Sequence, residues 1–251
     1  MNNKIIIIIC VFIALSKFSY SQNNKQIIAT YDFINKNENK IEIVNLYIEK
    51  TKAYSEFIKL KSSKDTLYAD EFEDIHFKKE PNDSIGKQYF LTNKNIIFRD
   101  HIYTENNFVP VIVNENMPNY NWKLDSDTIK IGNYLCNKAK LEFRGRNYNF
   151  WYTTEITTQF GPWKFFGLPG LIVKIESEDK TIQFQLVKLE YSNKNSISKP
   201  HLGKQITFKE YVAFQEKITD DFIEKLKTKL PRGASIKVNK VDPTSIEKNY
   251  D

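Results

Sequence analysis

The sequence predicts a mainly β protein, an antiparallel sheet followed by C-terminal helices in a single domain. Three observations predict it. Short runs rich in Ile, Val, Tyr and Phe recur between clusters of Asn, Lys, Asp and Ser. Two later segments alternate apolar and polar residues on a period of two around tight turns. The one strong helix start, the capping box Thr207-Phe208-Lys209-Glu210, comes close to the end of the chain.

The chain opens with Lys4 and an apolar run from Ile5 to Leu15, then Ser19-Tyr20-Ser21 before Gln22. This reads as a secretory signal peptide, residues 1 to 21, cleaved after Ser21. An uncleaved N-terminal anchor is the competing reading, but the eleven-residue run falls short of the roughly 20 residues a spanning helix needs. Cys10 sits inside that run without the small residues that precede a lipidated cysteine, which argues against a lipoprotein anchor.

The expected mature chain, residues 22 to 251, carries no later stretch apolar enough to span a membrane. It loses Lys4 and Lys17, so its 35 basic residues face 31 acidic ones and the net charge falls from +6 to +4. That mild excess, with lysines scattered among glutamates, excludes a nucleic-acid stripe. Only Cys136 survives processing, so no internal disulfide can form and the core alone must hold the fold.

The first six strands are expected over Ile27 to Phe33, Ile41 to Glu49, Ala53 to Leu60, Gln88 to Thr92, Ile96 to Tyr103 and Phe108 to Val113, as a meander. Leu141 to Arg144 alternates apolar and polar residues and forms a hairpin with Tyr148 to Thr153 through a tight turn at Arg144-Gly145-Arg146-Asn147. Leu171, Val173 and Ile175 form a second with Ile182, Phe184 and Leu186, turning at Ser177 to Lys180. Beyond Leu186 the apolar positions shift phase to Val187, Leu189 and Tyr191, as a β-bulge requires. The capping box starts a helix carrying Tyr211, Phe214 and Ile218, and Thr219-Asp220-Asp221 starts a second helical segment. From Val241 the polar tail is expected to fray.

Catalytic signals are sparse. His76, His101 and His201 lie far apart in sequence, without a partner at metal-ligand spacing, so no metal or cofactor is expected. Asp100-His101 could be half of a catalytic pair, but no nucleophile elbow accompanies it, and the competing reading is a surface histidine beside a solvated aspartate. The acidic run Asp70 to Asp74 lacks the spacing of a calcium loop and reads as a solvated face. Cys136 reads as a small buried hydrophobe.

The segment from Arg144 to Ile175 is the most specific. It runs Phe143-Arg144-Gly145-Arg146, then Trp151-Tyr152-Thr153-Thr154-Glu155-Ile156, then Gly161-Pro162-Trp163-Lys164-Phe165-Phe166, and ends on Gly167-Leu168-Pro169-Gly170-Leu171-Ile172. The Pro-Gly pair suits the centre of a type II turn. These motifs resemble the GLPGLI family of exported Gram-negative bacterial proteins, strongly over residues 120 to 176. In place of an early loop proline this chain has Thr157-Thr158-Gln159-Phe160. The resemblance implies a periplasmic or outer-membrane-associated location and carries no activity or catalytic residue. More weakly, the expected curved sheet with late helices looks like the half-barrel of LolA-type lipoprotein carriers, which enclose acyl chains.

Two readings of Trp151, Tyr152, Trp163, Phe165, Phe166, Leu168 and Leu171 follow. They form a core corner that pins an irregular loop, or they line a site for an apolar or amphipathic ligand such as a lipid. Arg144 and Arg146 could hold an anionic headgroup, or face water and pair with Glu142 or Glu155. Three functions remain open: a non-enzymatic envelope binding protein, an accessory or scaffold docking on an outer-membrane or secreted partner, and a hydrolase. A continuous apolar cavity would favour the first, and a filled core would oppose it.

Overall fold

The computed structural model describes residues 25–36, 40–59, 66–69, 75–78, 81, 83–104, 107–193, 197–217 and 246–249. The strands are β1 (Gln26–Asn35), β2 (Lys40–Ile48), β3 (Lys52–Lys59), β4 (Thr66–Ala69), β5 (Ile75–Lys78), β6 (Gln88–Thr92) and β7 (Asn95–Thr104). They continue as β8 (Asn107–Asn116), β9 (Lys123–Ile131), β10 (Tyr134–Phe143), β11 (Arg146–Thr153), β12 (Leu171–Ser177), β13 (Ile182–Ser192) and β14 (Lys204–Thr207). Helix α1 covers 208–217 of the described residues.

Twelve strands form one sheet in the order β14-β8-β7-β6-β3-β2-β1-β13-β12-β11-β10-β9, with β4 and β5 as a separate hairpin. Two antiparallel meanders, β1 to β8 and β9 to β13, are joined where β13 returns to pair with β1. Among the described strands only β14 runs parallel to its neighbour, β8. The sheet does not close, since β14 and β9 are its two ends.

It is nevertheless strongly curved. Eight strand intervals separate β8 from β11, which in a flat sheet would be roughly 38 Å. Yet Glu115 of β8 makes a direct ion pair with Arg144, in the turn that leads into β11. The inner face is therefore the inside of an incomplete barrel, and one continuous core spans it, from Tyr31, Leu46 and Phe57 to Phe98, Phe150 and Phe184.

The expected hairpins form. Phe143 pairs with Arg146 across a two-residue turn in which Arg144 and Gly145 have φ of 50° and 72°. Both central residues are left-handed, the combination that matches strand twist. The expected bulge also forms: Thr30 pairs with Lys188 and Tyr31 with Leu186, leaving Val187 out of register. The capping box forms, with the Glu210 amide donating to Thr207 Oγ1 at 3.1 Å and the Thr207 amide donating to Glu210 at 2.7 Å. The second helical segment and the acidic run Asp70 to Asp74 lie outside the described residues.

Three expectations are corrected. The sequence reading leaves β4, β5, β9 and β14 unassigned. β9 is exposed along nearly all its length, so it has no buried face to impose a period of two. The tail is not frayed over 246–249: the Lys248 amide donates to the Arg144 carbonyl at 2.9 Å, and the Tyr148 hydroxyl to the Ile246 carbonyl at 3.2 Å. Finally, Gly170 does not occupy the left-handed region that a type II turn requires there; Gly167 does, with φ of 106°. Gly170 is needed instead for close approach, because a Cβ there would lie 2.2 Å from the Thr153 carbonyl oxygen.

Candidate binding grooves

Between β11 and β12 the chain leaves the sheet and folds onto its inner face. The Gly161 amide donates to the Phe165 carbonyl at 2.9 Å, and Phe160 and Phe166 form an isolated antiparallel bridge. This loop carries most of the predicted cluster into the interior. Trp163, Phe165, Leu168 and Leu171 are buried, as is Tyr152 beside them on β11. Phe165 is the hub, with ring centroids 4.8 Å from Phe150, 5.0 Å from Trp163 and 5.5 Å from Tyr148. Burying each such ring contributes about 1.5–3 kcal/mol.

Phe166 is half-buried against Phe160 at 5.2 Å. Trp151 stands apart, half-buried, with Lys174 Nζ 4.9 Å from its ring. The segment 117–122 seals the loop: the Trp122 indole donates to the Phe166 carbonyl at 3.1 Å and the Tyr120 hydroxyl to the Lys164 carbonyl. The aromatic cluster thus fills the barrel at this end, the packing of a core corner.

Lys164 follows Trp163 into the interior and is fully buried. Its ammonium lies 2.8 Å from Glu115 and 2.8 Å from Glu247, and 4.3 Å from the centroid of the Phe98 ring. Arg144 completes the group through Glu115 and, at 3.4 Å, Glu247. Two cations and two carboxylates balance, the condition for keeping charges out of water. Arg146 is buried against Asp179 at 2.9 Å. Neither arginine faces water or pairs with Glu142 or Glu155, because the curved sheet brings other acids to them; the Glu155 carboxylate accepts from the Leu135 amide at 3.1 Å.

Beside the plug the inner face keeps a cleft of about 240 Å³. Aromatic walls from Phe57, Tyr89 and Trp163 meet a charged side formed by Lys87, Asp100 and Glu247. Asp100 is not a solvated residue: it is buried, accepts from the Tyr211 hydroxyl at 2.9 Å, and pairs with Lys87 at 3.1 Å. His101 is also buried, with Nε2 2.7 Å from Asp83 Oδ2. Burial lowers its pKa more than the carboxylates raise it. These bonds tie strand to loop and helix.

A larger groove, of about 400 Å³, lies on the opposite face under the segment 197–202. That segment is a strap pinned at both ends. The Ile197 amide donates to Glu49 at 3.2 Å, Lys52 Nζ donates to the Ile197 carbonyl at 3.0 Å, and Arg99 Nε donates to the Leu202 carbonyl at 2.6 Å. The floor is Tyr47 and Tyr54, opposite each other on β2 and β3, with ring centroids 6.0 Å apart and planes 37° inclined. Both hydroxyls donate to Glu56, at 3.2 and 3.3 Å. Burial, then the Glu56 charge, raises both tyrosine pKa values. Sequence reasoning missed this groove, since its strap is contributed from about 140 residues beyond its floor; the alternation of Tyr47, Tyr54 and Glu56 opposite core positions was the available signal.

His201 borders the outer groove and His101 the inner cleft, while Cys136 is buried in β10, its pKa raised by burial. Among the described residues no three His, Cys, Asp or Glu side chains gather as a metal site, and no helix is long and apolar enough to cross a membrane.

Neither a family model nor a curated protein matches this sequence. Solved structures do resemble the fold. A structure of PNGF-II superposes with a TM-score of 0.51 at 15% identity, covering 76% of this chain and 33% of that one. This chain therefore spans about a third of the PNGF-II chain. An uncharacterized conserved protein from Thermus thermophilus aligns with a TM-score of 0.39 at 10% identity, over 79% of this chain and 99% of that one. A putative outer membrane lipoprotein-sorting protein domain from Vibrio parahaemolyticus aligns with a TM-score of 0.28 at 9% identity, over 73% and 92%.

Proposed function

We propose that this chain is an exported, non-enzymatic binding protein of the GLPGLI type, and that its ligand is amphipathic and occupies the outer groove. The carrying observation is a preformed depression of about 400 Å³ with two tyrosine rings as its floor and a pinned strap over it. That volume lies within the roughly 300–1,000 Å³ of small-molecule sites, and pinning lowers the ordering cost of binding. The filled inner face opposes a ligand held inside the curved sheet, which leaves the outer groove as the place for one. Its aromatic cluster is packed into a core and leaves about 240 Å³, too little to enclose an acyl chain along the barrel as a lipoprotein carrier does. The signal peptide and the GLPGLI resemblance support the exported, envelope location. Native mass spectrometry of the protein purified from its own envelope tests the reading. A small co-purifying ligand, lost in Tyr54→Ala, is expected; a bare protein in both forms counts against it.

A second reading, an accessory or scaffold protein, is favoured by one observation. β9 ends the sheet among the described residues, and Leu124, Ile129 and Leu135 are exposed on the β9–β10 hairpin. An extended segment of an envelope partner can add there as a further strand. Cross-linking from Asp127→Cys in intact envelopes would recover such a partner; if Ser126→Pro leaves the cross-link unchanged, the edge is not the contact.

A further inference from the structure

We infer that the outer groove is built for a neutral polyhydroxylated ring, a saccharide unit, in an argument that rests on reading this groove as the ligand site. Three features of the groove converge on that class.

The first is the floor. Tyr47 and Tyr54 are half-buried, so each offers part of a ring face to the groove while its hydroxyl is held at Glu56. Tyrosine in this setting is a rigid amphipathic surface, apolar across the ring and polar at the tip. A saccharide ring has the matching division: axial C–H bonds make an apolar face, and equatorial hydroxyls make a polar rim. The two rings, inclined by 37°, form a shallow trough and not a flat wall.

The second is the polar inventory. Glu56 accepts from both tyrosines, Gln88 brings an amide that both donates and accepts, and Ser198 and His201 line the groove from the strap. Mixed donors and acceptors around an apolar floor suit hydroxyl groups, which themselves do both. An alkyl chain laid in the same groove would strip water from these groups and return no hydrogen bonds, so each group left unpaired would weaken binding.

The third is charge. A carboxylate at the centre of the floor repels phosphate and carboxylate ligands. Lys199 sits on the rim, 5.9 Å from the Phe90 ring centroid, so the groove as a whole carries one charge of each sign. A neutral ligand fits that balance better than an anion.

The test pairs two probes on the full mature protein. An array of immobilised oligosaccharides, covering hexoses, N-acetylhexosamines and uronic acids, is read with wild type, Tyr54→Ala, Tyr54→Phe and Glu56→Gln. Decyl zwitterionic detergent below its micellar concentration is titrated in parallel, following the methyl resonances of Ile28 and Ile85 by NMR. The expected result is binding to neutral members of the array, weakened at least tenfold by Tyr54→Ala and by Glu56→Gln. Tyr54→Phe, which keeps the ring and the fold, should lose less. Array binding that ignores Tyr54→Ala and Glu56→Gln overturns the inference. A silent array with detergent shifts confined to the groove overturns the saccharide and leaves the groove as a ligand site. Silence with both probes overturns the inference and the proposed function together.

Discussion

Lys164 and Glu247 meet 2.8 Å apart inside the barrel, one from the loop after β11 and the other four residues from the last residue of the chain. The pair joins the plug to the tail, with Glu115 and Arg144 completing a neutral set. Glu247→Gln leaves two buried cations facing one carboxylate. Removing one member of a buried pair costs about 3–5 kcal/mol. The unfolding free energy of Glu247→Gln should fall by that amount, seen as a lower urea midpoint with an unchanged slope. Lys164→Met combined with Glu247→Gln should recover much of the loss, since it leaves Arg144 and Glu115 as a matched pair.

Gly170 separates close approach from backbone conformation as reasons for a glycine. Gly170→Ala puts a Cβ 2.2 Å from a backbone oxygen, so the Leu168 to Leu171 corner must shift. A loss of about 3 kcal/mol is expected, at the upper end of overpacking costs. Gly132→Ala has φ of 58° but nothing within 4 Å, so only the left-handed penalty of about 1–2 kcal/mol applies. Thermal unfolding of the two variants should rank them in that order; equal losses would sink the close-approach account.

Acid should unfold this protein in two stages. Burial raises the Asp83 carboxyl, but the Ile85 amide, Arg99 and His101 outweigh it and hold its pKa at about 2. Asp179 is likewise at about 2, where bonds from Ser177 and Thr181 outweigh its burial. A carboxyl depressed in the folded state contributes stability above its unfolded pKa, near 4, and loses it as pH falls towards about 2. His101, lowered by burial, takes up its proton more readily when unfolded, so its contribution is lost as pH falls below about 6.5. Stability against pH should therefore decline gently below about 6.5 and steeply below about 4. Asp179→Asn should flatten the steep stage and leave the gentle one.

Cys136 supplies a probe of opening. The thiol is fully buried and its pKa is raised by that burial, and the thiolate is the reactive form. Labelling with a disulfide reagent should be negligible in the folded protein and immediate in denaturant. Rapid labelling under native conditions would mean that β10 opens locally.

The inner half of this architecture is written in local sequence. β1, β2 and β3 bury every second residue, so Tyr31, Val44, Leu46 and Phe57 announce their strands by period alone. Val187 discloses its bulge by a phase shift, and Thr207 with Glu210 mark the helix start. The candidate groove is not legible that way. Its tyrosines occupy the polar phase of their strands, and its strap is an irregular segment fixed by Glu49, Lys52 and Arg99 from elsewhere. Arg144 shows the same limit: its turn is readable from Arg-Gly, but its partner Glu115 comes from the far end of the sheet, delivered only by curvature.

The join between β1 and β13 also sets the order in which this molecule can assemble. Gln26 pairs with Ser192, so the seam that unites the two meanders joins residues far apart along the chain. Contacts between such distant residues must wait for a large loop to close, which makes the topology intrinsically slow to fold. A chain emerging from its N-terminus holds β1 with one edge satisfied by β2 and the other bare until β13 is complete. During that interval Ala29, Tyr31 and Phe33, with their side chains destined for the interior, line an open strand edge, the state most exposed to pairing with the wrong chain.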